Sequence, residues 1–350
     1  MNTSTMNSIS SVSAPVKRLF DAFPLKTYTS KPTPLQTATS TQYSLQFKTA
    51  PKKNIPNKWF NLIVYSLVPL EYDADCVISL DPLCSAALLY LCYKHGFSLP
   101  NANTKEDKHP ASANPANVIT VLSYHSSTDG ELPVLVEDEK FYTKALQRSI
   151  RTTFVIQEFI NASAVSGQET MLLELCDSVL YDGWIITVLE ELSIDEKISI
   201  YCGKLVGDND GTDFGAFTPL VHHNMVKTLL RRNGFSLRNK VIAEHFSADF
   251  VDPKMIYHRG MQKSRLVNEQ NNIKDKCRNL LSTLEKCLDE RGDIKFFFGT
   301  EGNPGAFDIK LASLIYAVLH VGDGESPLAE IIHTKPLLVQ HSRDVIEGCI

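Results

Sequence analysis

Apolar positions are spread unevenly along the 350 residues. Before Trp59 the chain is mostly Ser, Thr, Lys and Pro, broken by one aromatic island, PVKRLFDAFPLKTY, at 15–28. From Trp59 onward the pattern is that of a folded protein. FNLIVYSLV is a short run of β-branched and aromatic residues, which predicts a buried strand. SLDPLCSAALLYLCYKHGF then predicts a helix with signals at both ends. Asp81 is placed to cap the first turn, Pro82 suits the first helical position, Lys94 and His95 complement the negative end, and Gly96 can turn left-handed. Leu83, Ala86, Ala87, Tyr90 and Leu91 recur at helical spacing, so one face is expected to pack inward.

A polar insert, PNANTKEDKHPASANPAN, reads as a surface loop. Beyond it VITVLSYH predicts a second strand and ELPVLVEDEKF a third, with Pro133 at its start. Proline in a strand run is confined to starts, edges and bulges, and Leu132-Pro133 is a candidate cis peptide. RSIRTTFVIQEFINAS predicts an amphipathic helix, so the order is βαβ, a proline-led strand and hairpin, then a helix. From residue 167 the pattern is helical. QETMLLELCDSVLYDGWIITVLEEL confines its polar residues to one stripe and predicts a largely buried helix. NNIKDKCRNLLSTLEKCLDER predicts an amphipathic surface helix, and GAFDIKLASLIYAVLHVG another core helix.

A hydrophobic content of 43% over this length gives material for two domains with real cores. The net charge of -5 conceals an asymmetry: residues 1–58 hold eight cations and one acid, Asp21, a balance of +7 that leaves -12 for the rest. A basic, acid-poor, Ser-rich start is a property of cleaved mitochondrial presequences. Here it has a single Arg, and prolines at 15, 24, 32 and 34 interrupt any amphipathic helix. Residues 1–55 therefore read as a flexible basic arm drawn to an acidic protein or an anionic membrane surface. No apolar run approaches the roughly 20 residues that span a bilayer, so membrane association is expected to be peripheral. The eight cysteines show no CxxC pair and read as reduced core residues.

Candidate chemistry is sparse. His222 and His223 are adjacent, point in different directions on a helix and have no third ligand nearby, which argues against a metal site. The run Lys227, Arg231, Arg232, Arg238 and Lys240 could meet phosphates or be a solvated face, and the acidic body and absence of any nucleic-acid motif argue against nucleic acid. Asp73 with Asp75, and Asp208 with Asp210, lack the full calcium-loop pattern.

A small α/β unit with a proline-led strand, followed by an all-helical unit, resembles the glutathione-transferase fold. ELPVLVE is similar to that family's strand after a cis-proline. FFFGTEGNPGAFDIKLASLIYAVL is similar to its late core helix, entered through a Ser/Thr-x-x-Asp box in which Asp308 takes the last place and Gly305 replaces the Ser/Thr. The resemblance implies a thioredoxin-like domain at 56–163 and an all-α domain at 167–350, with Asp81, Pro133 and Asp308 as structural markers. In an active transferase a Tyr, Ser or Cys near the first strand and helix stabilises a thiolate; Tyr65, Ser66 and Cys84 are the candidates. Thr152 and Thr153 stand where the family's Glu/Gln-Ser pair belongs, which points to a degenerate site and no cofactor.

A degenerate transferase with a docking tail is similar to the metaxins, and more closely to the fungal metaxin-like subunits of the mitochondrial sorting and assembly machinery. The island at 15–28, DPLC, LPVLVE and LCDSVLYDGWI carry this resemblance. It implies a non-enzymatic, peripheral protein on the cytosolic face of the mitochondrial outer membrane. The implied partners are the barrel-shaped core subunit, a second metaxin-like subunit and β-barrel precursors, whose β-signal it helps to recognise. On this reading Phe20, Phe23, Leu25 and Tyr28 anchor the arm to a partner and Lys17 and Arg18 steer it, packing against the chain's own body being the alternative. The competing class is a glutathione- or thiol-dependent transferase using Cys84, and a third reading is a matrix protein with a cleaved arm.

Overall fold

Leu62 sits at the centre of a mixed five-stranded sheet because it belongs to a seven-residue strand apolar enough to be covered on both sides, β3 (Lys58–Val64). The computed structural model describes residues 44–49, 58–102, 117–127, 129–140, 146–203, 217–247, 253–292, 295–300 and 302–350. Leu62 lies opposite Ile119 of β7 (Asn117–Val121), in parallel, and opposite Leu135 of β8 (Val134–Lys140), antiparallel. Outside these run β1 (Ser44–Gln46), against β7, and β9 (Leu146–Arg151), against β8. The strand order is therefore β1-β7-β3-β8-β9. Two short ribbons complete the β structure, β2 (Lys48–Thr49) with β6 (Phe97–Ser98) and β4 (Val68–Pro69) with β5 (Val77–Ile78).

A parallel pair needs a crossover, and α1 (Pro82–His95) supplies it between β3 and β7. Its signals act as expected. Asp81 accepts the Cys84 N–H at 3.0 Å, and Gly96 takes φ 67 while its N–H closes on the Cys92 carbonyl. The expectation of a single inward face is corrected: Pro82 to Leu89, Leu91 and Cys92 are all buried, since α1 lies between the sheet and a later core helix.

The helical part begins with α2 (Thr153–Asn161) and α3 (Gly167–Leu175). A π turn at Cys176–Leu180 leads into α4 (Tyr181–Ile186), and a second follows at Thr187–Glu191. Then come α5 (Ile194–Tyr201), α6 (Thr218–Arg231), α7 (Phe235–Arg238), α8 (Lys240–Ser247) and the long α9 (Pro253–Arg291). The chain closes with α10 (Ala306–His320), α11 (Pro327–His333) and α12 (Pro336–Glu347). Every residue of α10 from Ala306 to Val318 is buried. A mixed sheet followed by helices is compatible with a thioredoxin-like unit leading into an all-helical one. Thr41–Ile350 form one compact unit, and the other unit, Met1–Ser40, lies outside the described residues.

Three boundaries differ from expectation. RSIR is strand, not the start of the helix: Ile150 pairs with Val136 and Arg151 with Leu135, and the helix begins at Thr153 after an extended Thr152. Four residues with a single apolar position define no period, and only the hairpin partner decides between strand and helix. The strands also reach back to Ser44, inside the stretch assigned to the arm. Finally, the helix predicted over residues 271–291 starts at Pro253.

Candidate functional site

Leu132-Pro133 is a cis peptide, and around it converge the groups that a thiol chemistry on this fold would use. Tyr65 and Ser66 follow β3, Cys84 stands in the first turn of α1, and Leu132 offers a backbone N–H and carbonyl. Each of Leu132's two polar groups is already taken. Its N–H donates to the Tyr65 hydroxyl at 2.9 Å, and its carbonyl accepts from Arg232 Nη2 at 2.8 Å. The Tyr65 hydroxyl donates onward to the Gly130 carbonyl at 3.2 Å.

Arg232 comes from the turn after α6, 151 residues beyond its partner Asp81. The guanidinium grips the carboxylate at both oxygens, Nη1 to Oδ2 at 2.6 Å and Nη2 to Oδ1 at 3.0 Å, and both side chains are 0% exposed. It also lies 5.3 Å from the centre of the Tyr65 ring and 6.0 Å from that of Tyr201, the two rings meeting edge to face at 5.0 Å. Burial, the largest influence, would lower the guanidinium's pKa, but the Asp81 carboxylate together with Tyr181 and Tyr65 more than offsets it and holds Arg232 charged. Cys84 is fully buried and its thiol is pushed well up, first by burial and then by Asp81, with Arg232 only partly opposing. This is the opposite of an activated nucleophile. Differential alkylation of the native chain is therefore expected to label Cys287, the one thiol of the eight that is not buried, long before Cys84. Peptide mass spectrometry checks the order, and rapid labelling of Cys84 at neutral pH would restore the transferase reading.

The other markers behave as follows. Asp308 caps α10 by accepting the Gly305 N–H at 2.9 Å, as well as those of Phe297 and Phe298 at 2.6 and 3.1 Å. Gly305 has no side chain for the reciprocal bond, and the sequence reading missed what replaces it. Glu169 of α3, fully buried, accepts the Phe307 N–H at 3.2 Å and the Val165 N–H at 2.8 Å. Thr153, in the place of the family's Ser, donates to the Pro133 carbonyl at 2.9 Å. The basic run is not one face: Arg232 is interior, and Arg238 pairs with Asp182 at 2.6 Å. No group of His, Cys, Asp and Glu suited to a metal ion occurs among the described residues. Lys17, Arg18, Phe20, Phe23, Leu25 and Tyr28 lie outside the described residues.

Away from this plugged centre, large apolar side chains are exposed on β9, on α2 and from the turn before α3 into α3. Ile150, Phe154, Val165 and Met171 are 63, 68, 79 and 56% exposed. A cavity of about 70 Å³ opens between α1, α2 and the sheet, lined by Leu135, Glu137, Arg151, Ile156 and Phe159 among others. Arg151 bridges Glu137 at 2.7 Å and lies over the Phe159 ring at 4.4 Å. No described helix is long and apolar enough to cross a membrane.

Residues 10–137, from before the aromatic island through α1 and the cis proline into β8, match the family described as SAM35, subunit of SAM complex. The chain is also similar to the Sorting assembly machinery 35 kDa subunit of Saccharomyces cerevisiae, with 26% identity over 359 aligned positions that cover 97% of this chain and 98% of that one.

Proposed function

We propose that this chain, a relative of the SAM35 subunits along nearly its whole length, is a non-enzymatic subunit of the sorting and assembly machinery of the mitochondrial outer membrane. It has a glutathione-transferase-like architecture, thioredoxin-like over 56–163 and helical over 167–350, in which the former ligand site has become a structural bolt. The observation that carries the reading is the end-to-end similarity to the 35 kDa subunit. The filling of the Leu132-Pro133 site by Arg232 and Tyr65 agrees with a loss of catalysis. The protein sits peripherally on the cytosolic face, where it binds the barrel-shaped core subunit and a second metaxin-like subunit and recognises the β-signal in the last strand of β-barrel precursors. Such a strand carries unpaired backbone groups and alternating apolar side chains, and needs a temporary partner before insertion.

Purification of a tagged copy from its own mitochondria in gentle detergent tests this. Co-recovery of an outer-membrane barrel-assembly subunit and a second metaxin-like protein near one-to-one is expected, whereas a lone protein retained on glutathione would overturn it. Within the arm, Phe20 and Phe23 serve as anchors for a partner, with Leu25, Tyr28, Lys17 and Arg18 beside them. Replacing both phenylalanines with alanine is expected to remove about 2 kcal/mol or more of binding, a loss of more than tenfold in co-purified partner, at unchanged thermal stability. A drop in stability with normal assembly would instead mean that the island packs on its own chain.

A further inference from the structure

We infer that the free edge of β9, flanked by Ile150 and Phe154, is the place where an extended precursor strand adds to the sheet. This rests on the proposed reading that the chain recognises precursor strands, and names the surface that does so. The two edges of the five-stranded sheet are treated differently. One edge is blunted: β1 has three residues, and its one large apolar side chain, Leu45, is 4% exposed. The other is open. β9 has six residues, pairs among the described residues with β8 alone, and carries neither Pro nor Lys, its charged residues being Arg148 and Arg151, the latter engaged by Glu137. Folded proteins normally protect such an edge with those devices, because its unpaired N–H and carbonyl groups recruit another strand.

The side chains point to the same occupant. Register places Ile150 opposite Val136 on one sheet face, and Arg151 opposite Leu135 on the other, toward the cavity between α1 and α2. A strand laid along β9 would thus rest alternate side chains beside Ile150 and beside the cavity mouth with Phe159. Phe154, exposed in the first turn of α2, extends the apolar flank. Apolar helices or lipid tails could cover Ile150 and Phe154, but only an extended backbone satisfies the edge itself. Charge narrows the choice further. β9 contains two arginines and no acid, and although Arg151 is bridged to Glu137, this composition disfavours a Lys/Arg-rich strand at the edge.

The test uses the purified full-length chain and a fluorescein-labelled peptide copying the last transmembrane strand of a mitochondrial porin, followed by fluorescence anisotropy. Three variants are compared: Ile150→Pro, which removes a backbone donor from β9; Phe154→Asp; and Leu220→Asp, a comparably exposed leucine on α6 that serves as control. The expected result is a tenfold or greater loss of affinity for the first two, an unchanged affinity for the control, and weaker binding of the wild-type chain to a peptide with its polar positions changed to lysine. Circular dichroism establishes that each variant is folded; should Ile150→Pro not fold, Ile150→Lys replaces it. Wild-type binding that survives both Ile150 and Phe154 substitutions overturns this site while leaving precursor recognition standing. A wild-type chain that does not bind the peptide sinks recognition and this site together.

Discussion

Arg232→Met is expected to cost the folded chain about 3–5 kcal/mol, because it strands the Asp81 carboxylate in a site with no access to water. The residual bond from the Cys84 N–H caps the helix but cannot neutralise the charge. The same substitution frees the Leu132 carbonyl, so the break is felt on the sheet side, the α1 side and the α6 side at once. A buried ion pair is weak evidence of net stabilisation, and the informative comparison is with both partners replaced. Asp81→Ser with Arg232→Met keeps a capping hydroxyl, removes both charges, and is expected to lose distinctly less than the sum of the two single changes. Urea midpoints followed by far-UV circular dichroism read this directly. Equal, small losses in all three variants would show that Arg232 is dispensable and that the centre is held by packing alone.

The second large effect concerns α10. Gly305→Ser looks like a repair, since it restores the Ser/Thr-x-x-Asp box that helix starts favour. The structure predicts the opposite. A Cβ at 305 would stand 2.6 Å from Glu169 Oε1 and 2.9 Å from the Phe298 Cβ, so the new side chain competes with the carboxylate already doing the capping. A loss of about 1–3 kcal/mol is expected, in the range of overpacked cores. Glu169→Ala removes the acceptor for the Phe307 and Val165 N–H groups and is expected to cost about 2–3 kcal/mol. If the double variant, Glu169→Ala with Gly305→Ser, recovers part of that loss, the serine hydroxyl has taken over the N–H that the glutamate left. Thermal denaturation of the four proteins decides it, and a stabilised Gly305→Ser single variant would contradict the geometry.

Much of the framework was legible in the residues because its determinants are local. Asp81, Pro82 and Gly96 punctuate α1 through bonds that span no more than four residues, and the apolar runs that form β3 and α10 are long enough to have no competing period. Pro133 was marked as a cis candidate by its place at a strand start, and the structure has it cis. Where a stretch was short or its meaning depended on a distant partner, local reading failed. RSIR became strand because Val136 and Leu135 lie across from Ile150 and Arg151. Arg232 stood in a basic run like any surface cation until the fold brought Asp81, 151 positions earlier, against it.

The sequence by itself therefore determined α1 with its caps, the central strand β3, the core helix α10, the mostly interior cysteines and the resemblance that names a kind of partner. Tertiary structure alone decided which polar groups were spent inside and which were left for others. Arg232, Asp81, Tyr65 and Glu169 are polar residues whose burial is tolerated only because each finds its complement far along the chain. β9 is an edge because no other described strand reaches its outer side. Hydrophobic period and capping are properties of neighbours in sequence, whereas desolvation and strand pairing are properties of neighbours in space.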